Sequence, residues 1–206
     1  MLYVPKDMPQ PSDTDYIDRV VSESLGAIIA ANGRCMMLFT SLAAMRLARE
    51  KLANTFAERD IQIPLLLQGD GSKFELLNRF KKLKNAVLLG SHSFWEGVDV
   101  RGEGLVLAII DKLPFSVPDD PVTAARIEYL RSQGGNPFMD FQVPEAVISL
   151  KQGAGRLIRD ETDTGVLIIC DPRLLSKPYG KRIWRSLPSM KRTQDINDVL
   201  SFLKSA

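Results

Sequence analysis

Residues Asn32–Glu50 read NGRCMMLFTSLAAMRLARE, and the fold turns on how this run is divided. Asn32-Gly33 is a helix stop, because these residues tolerate the left-handed backbone that ends a helix. CMMLFT, from Cys35 to Thr40, is a short unbroken apolar run without period-two alternation. As a strand it is therefore covered on both faces. Ser41 stands where an N-cap hydroxyl belongs, and the helix it opens runs to about Arg59. Upstream, between Asp13 and Ala31, apolar residues recur at helical spacing at Ile17, Val20, Val21, Leu25, Ile28 and Ile29.

This alternation continues along the chain. IQIPLLLQG, NAVLLG, LVLAIID and TGVLIIC read as further apolar strands. Helices are expected over 71–84, 119–132 and 143–160, the last with Pro144 in its first turn, and short ones near 178–186 and 194–204. Residues 1–12, with three prolines, read as an extended lead-in. There is no internal repeat. Strands alternating with helices predict one α/β domain: an open, mostly parallel sheet with helices on each side. In such sheets ligands bind beyond the carboxyl ends of the strands. Those ends carry Thr40-Ser41, Gln68–Gly71, Ser91–Gly104, Asp111–Phe115 and Asp171–Arg173.

The totals exclude more than they select. With 206 residues the chain buries a substantial core, and 45% hydrophobic with 25% charged residues is ordinary for a globular domain. A net charge of +2 does not by itself announce a nucleic-acid binder. Cys35 and Cys170 are far apart in apolar runs and read as buried thiols, not as a disulfide or zinc site. No apolar run approaches about 18 residues, and the first residues lack a secretory layout, so no membrane is expected and the chain reads as cytoplasmic.

Several nucleotide chemistries are missing their signatures. GDGSK lacks the spacing and the Lys-Ser/Thr pair of a phosphate loop. Gly153 and Gly155 form a G-x-G late on an expected helix, not in a strand-to-helix turn. With no cofactor fingerprint, a Rossmann-like small-molecule enzyme is unsupported. There is no G-x-S-x-G, and His92 is the single histidine, read as a loop residue. The chain alone cannot complete an ATPase reaction of the phosphate-loop kind.

Half of one remains. In QGAGRLIRD, residues 152–160, Arg156 and Arg159 share one helical face. A bare R-x-x-R is compatible with a solvated face. It also suits forked phosphate recognition and the positive charge that phosphoryl transfer often takes across an interface. Gln152, one turn before Arg156, is placed to bond phosphate or attacking water. Gly153 and Gly155 let the helix lie close to another surface.

QGAGRLIR matches the Q-x-x-G-R-x-x-R motif VI of superfamily 2 helicases. SFWEGVDVRGEGL, residues 93–105, resembles motif V of the XPD-like branch, in the form shared by the DinG- and YoaA-type DNA helicases. LFTS, residues 38–41, is similar to motif IV, and DKLPF, residues 111–115, resembles the segment after motif V. The order is right, and the matches span roughly residues 35–175.

The resemblance implies a RecA-like three-layer α/β/α sandwich, the second motor domain of an ATP-dependent helicase. It implies 5′-to-3′ movement on single-stranded DNA and a role in repair. ATP with magnesium would be shared with a first RecA-like domain upstream, and the family's iron–sulfur cluster would lie outside this chain. Arg159 would be the finger, Arg156 would contact the γ-phosphate, and Gln152 would sense nucleotide. Glu96, Gly97 and Asp99, with Gly153 and Gly155, would face the nucleotide cleft. For Glu96 and Asp99 a turn-stabilising role competes, and for Trp95 a place in the core.

Thr40, Ser41, Ser91, Ser93 and Lys112 would contact the DNA backbone, capping being the competing role for Ser41. Two basic stretches stay open. One is Arg79–Lys84. The other, between Asp171 and Asp195, holds seven Lys/Arg and no acid, with Tyr179 and Trp184 interleaved. Each is a strand-binding surface, a dock for a replication or repair protein, or a solvated face. The alternative for the whole chain is a non-catalytic α/β module that docks DNA or such a protein.

Overall fold

The computed structural model describes residues 1–91, 94, 104–157 and 164–205, with only the backbone of residue 156. Seven parallel strands form one sheet in the order β3-β4-β2-β5-β6-β1-β7. The strands are β1 (Leu2–Tyr3), β2 (Cys35–Phe39), β3 (Leu65–Leu67), β4 (Val87–Ser91), β5 (Leu107–Ile110), β6 (Val166–Ile169) and β7 (Arg192–Thr193). The helices are α1 (Tyr16–Ala30), α2 (Leu42–Glu58), α3 (Lys73–Leu83), α4 (Pro121–Ser132), α5 (Val143–Leu157), α6 (Arg173–Ser176), α7 (Pro178–Ser186) and α8 (Ile196–Ser205).

Alternation within the strands builds two cores. Cys35, Met37 and Phe39 face one side with Val87, Leu89, Leu107 and Ile109, under α1, α2 and α8. Met36 and Leu38 face the other with Leu88, Ala108 and Ile110, under α3, α5 and α7. Both faces are covered, which is why the strands read as continuous apolar runs. The result is the three-layer RecA-like sandwich.

Local signals set the ends of the elements. Asn32 (φ 50°) and Gly33 (φ 73°) end α1 in the left-handed region. A Cβ on Gly33 would stand 2.5 Å from the Asn85 carbonyl carbon, so the turn admits nothing larger. Ser41 Oγ accepts the Ala44 N–H at 3.1 Å and caps α2. Ser72 and Glu75 form a reciprocal capping box on α3.

Among the described residues the structure departs from the sequence expectation at both short strands and in two helical turns, one of them the unexpected α6. Within the lead-in, Leu2–Tyr3 form β1 between β6 and β7, and Leu2 is 0% exposed. Arg192–Thr193 form β7, which closes the sheet edge beside β1, where no strand is expected. A five-residue π-helical turn, Phe138–Gln142, runs straight into α5.

Candidate functional site

Chain direction places the site. After β2 the chain enters α2 on one face of the sheet, whereas β5 and β6 are joined through α5 on the other. The adjacent carboxyl ends of β2 and β5 therefore open into a crevice, the switch point where such sheets bind ligands.

Two buried acids shape this edge. Asp111, at the end of β5, is 1% exposed. Its Oδ1 accepts the Thr40 N–H at 3.1 Å, and its Oδ2 is buried without a hydrogen-bond partner. The Asp111 carbonyl accepts the Tyr16 hydroxyl at 2.5 Å, which ties α1 to the same edge. Asp171, after β6, is 0% exposed. Its Oδ2 accepts the Leu113 N–H at 2.8 Å, and its Oδ1 accepts the Arg173 N–H at 2.9 Å. The Arg173 guanidinium forks onto the same carboxylate, with Nη2 2.6 Å from Oδ2 and Nε 2.9 Å from Oδ1. It also lies 5.3 Å from the centre of the Phe115 ring. Phe115, Phe138 and Tyr179 form an aromatic triangle with centroids 5.0–5.6 Å apart. The loop after β5 is thus pinned by one carboxylate and braced by three rings.

Burial pushes the Asp111 carboxyl from its usual 3.8 up to about 7, against the pull of the backbone N–H groups of Lys112 and Thr40. The folded state therefore keeps a proton that the unfolded chain has already lost above pH 4. Asp111 makes stability fall as pH rises from about 4 to about 7. Asp111→Asn retains an acceptor for Thr40 and carries no charge. Its stability relative to the wild type is expected to increase across that window in urea titrations. A difference that stays flat with pH would show that Asp111 does not titrate there.

A cleft of about 450 Å³ opens beside these acids. Its walls are Thr40, the Pro114–Val117 loop, and Glu145, Ile148, Ser149 and Gln152 on α5. A smaller hollow adjoins it, sharing Thr40, Pro114 and Ser149 and lined on its own side by Lys112.

The expected site residues can now be placed. The fold brings together Thr40 of LFTS and Gln152 of QGAGRLIR in one cleft, with Lys112 next door. Ser41 caps α2. Ser91 ends β4, and its N–H donates to Gln68 Oε1 at 2.6 Å. Gly153 is buried and Gly155 is exposed, with open space where its Cβ would be. Arg156 lies on α5, its side chain outside what is described. His92, Ser93, Trp95, Glu96, Gly97, Asp99 and Arg159 lie outside the described residues. Phe94, from the same stretch, is buried over Gly90.

In the basic stretch 173–192, Tyr179 and Trp184 pack on the core, and Arg192 lies 4.8 Å from the Trp184 ring centre. Sequence reasoning names the loops at Asp111 and Asp171 but gives neither acid a role. The available signal was an aspartate directly after an apolar strand, twice.

Among the described residues, no group of three or more His, Cys, Asp or Glu could hold a metal. Cys35 and Cys170 are buried and free. The described residues therefore fit neither an iron–sulfur cluster nor a magnesium site. Among the described residues, no helix is long and apolar enough to cross a membrane.

Comparison with known proteins gives one answer. The family described as helicase C-terminal domain matches residues 25–190. The chain is 50% identical over 205 residues to the ATP-dependent DNA helicase YoaA of Haemophilus influenzae, covering 100% of this chain and 31% of that protein. It is 38% identical over 205 residues to the ATP-dependent helicase DinG of Mycobacterium tuberculosis, covering 99% of this chain and 30% of that one. The chain thus spans about a third of the length of these curated relatives. Among solved structures, apo XPD superposes with a TM-score of 0.69 at 18% identity, over 93% of this chain and 39% of that one. The C-terminal domain of the DEAD-box protein Dbp5 gives 0.54 at 13%, over 100% of this chain and 97% of that one. Both likenesses concern the fold.

Proposed function

The chain belongs to the helicase C-terminal domain family, and from that premise we propose that it is the second RecA-like motor domain of an ATP-dependent DNA helicase, moving 5′ to 3′ on single-stranded DNA. The observation that carries this reading is the meeting of Thr40 and Gln152 in one cleft at the switch point of the sheet, beside Lys112. Two segments over a hundred residues apart, one expected to meet DNA and one to meet nucleotide, share a wall. A shift of α5 on nucleotide binding would thereby reach the strand-holding edge.

In this reading Arg159 reaches the transferring phosphate from across the domain interface, and Arg156 holds the γ-phosphate. Gln152 bonds the nucleotide or the attacking water. Glu96, Gly97 and Asp99, with Gly153 and Gly155, line the approach. Thr40, Ser41, Ser91, Ser93 and Lys112 take the DNA phosphates through hydroxyls, main-chain amides and charge. The phosphate cradle and metal come from a first RecA-like domain, so the active unit is the pair of domains. A replication or repair protein is the further partner this class of motor calls for.

ATP hydrolysis by the chain alone and by the full-length protein, with and without single-stranded DNA, tests this. The chain alone is expected to show no turnover above background. The full-length protein is expected to be stimulated by single strands and to displace duplex only when loaded on a 5′ tail. Robust hydrolysis by the purified chain, or a full-length protein indifferent to DNA, would refute it.

A further inference from the structure

The cleft beside Thr40 is unlike the hollow it adjoins. The two share Thr40, Pro114 and Ser149, yet Lys112 lines the small one and Glu145 the large one. Among the described residues lining the large cleft there is no lysine or arginine. A phosphate placed there would meet the Glu145 carboxylate with no cation to offset it. The remaining wall is apolar, with hydroxyl and amide groups: Val117 is 60% and Ile148 56% exposed, and Phe115 presents a ring fixed from behind. The Phe138 and Tyr179 rings and the Arg173 guanidinium hold that ring, so little side-chain freedom remains to be lost on contact.

Neutral, flat and amphipathic describes a nucleobase. Its faces suit Phe115, Val117 and Ile148. Its edge suits the Ser149 hydroxyl, and its N–H donors, the ring N3–H of thymine or the amino group of another base, suit a carboxylate acceptor such as Glu145. The shared wall residues fix the direction: the strand's phosphate on the Lys112 side, its base on the Glu145 side.

We propose that this cleft receives an unstacked base of a single DNA strand whose phosphate lies at Thr40 and Lys112. The proposal rests on the reading of the chain as a DNA-translocating domain and adds a base contact to its phosphate contacts. Such a subsite gives the motor a grip that a strand lacking bases does not offer.

The test measures binding of the full-length protein, at one fixed salt concentration, to two fluorescent strands of equal length. One is oligothymidylate, and the other is an abasic strand with the same phosphates. The variants are Val117→Ala, Ile148→Ala and the double substitution. Both residues are surface-exposed, and the changes are neutral, so fold and phosphate attraction stay constant. The double variant is expected to bind oligothymidylate about fivefold or more weakly than the wild type, with abasic binding unchanged. Equal loss on both strands, or no loss on either, overturns the base subsite and leaves the motor reading standing. A wild-type protein that binds neither strand overturns both.

Discussion

Arg159→Ala in the full-length helicase is expected to lower DNA-stimulated ATP hydrolysis by about a thousandfold or more. The size follows from what a finger does. Charge spreads over the phosphoryl oxygens in the transition state, and a guanidinium held there in a water-poor interface stabilises it without reorganisation. Losing that interaction lowers kcat while leaving the binding of ATP largely intact, because it is made mainly in the transition state. Arg159→Lys should recover little of the rate, since one ammonium does not reproduce two forked donors. Arg156→Ala should also raise the KM for ATP, as expected of a residue that touches the ground-state γ-phosphate. Single-turnover hydrolysis at saturating ATP and DNA separates these effects. Turnover within a few-fold of wild type in Arg159→Ala would remove Arg159 from the chemistry and return the R-x-x-R pair to a solvated helix face.

What could be read from the sequence follows the range of the interactions involved. The strand at Cys35–Phe39, the cap at Ser41 and the start of α5 near Pro144 are set by residues within a few positions of one another, and each is where the pattern put it. β1 and β7 have two residues each, too few to carry any period, and exist because sheet neighbours supply their partners: Leu2 sits level with Leu167 and Arg192. The π-helical turn at Phe138–Gln142 is equally silent in sequence, because nothing in FMDFQ distinguishes it from the start of α5. The motifs named Thr40 and Gln152 for separate roles, one toward DNA and one toward nucleotide, and that the two line one cleft could not be read from them. The acids that hold the same edge left one local sign, an aspartate after an apolar strand, but their partners could not be read from it. Asp111 bonds a backbone N–H 71 residues away, and Asp171 bonds one 58 residues away. Only the crossover geometry brings those groups within reach.

Asp171→Ala is expected to destabilise the folded domain by about 3–5 kcal/mol, the usual result of leaving one partner of a buried ion pair behind. Four donors bond this carboxylate: the Leu113 N–H and the backbone N–H, Nε and Nη2 of Arg173. Without it, the half-buried guanidinium retains its charge against Phe115, and the Leu113 N–H loses its acceptor in a place water does not reach. Asp171→Asn should cost less, because the amide oxygen can still serve Leu113. The double variant Asp171→Ala with Arg173→Ala should be less destabilised than the sum of the single changes, because it strands no charge. Urea unfolding checks this through the midpoint, provided the slope is unchanged. A shift worth under about 1 kcal/mol for Asp171→Ala would mean that the pair behaves like a surface ion pair. The rigidity of the loop bearing Phe115 would then have to come from the aromatic triangle alone.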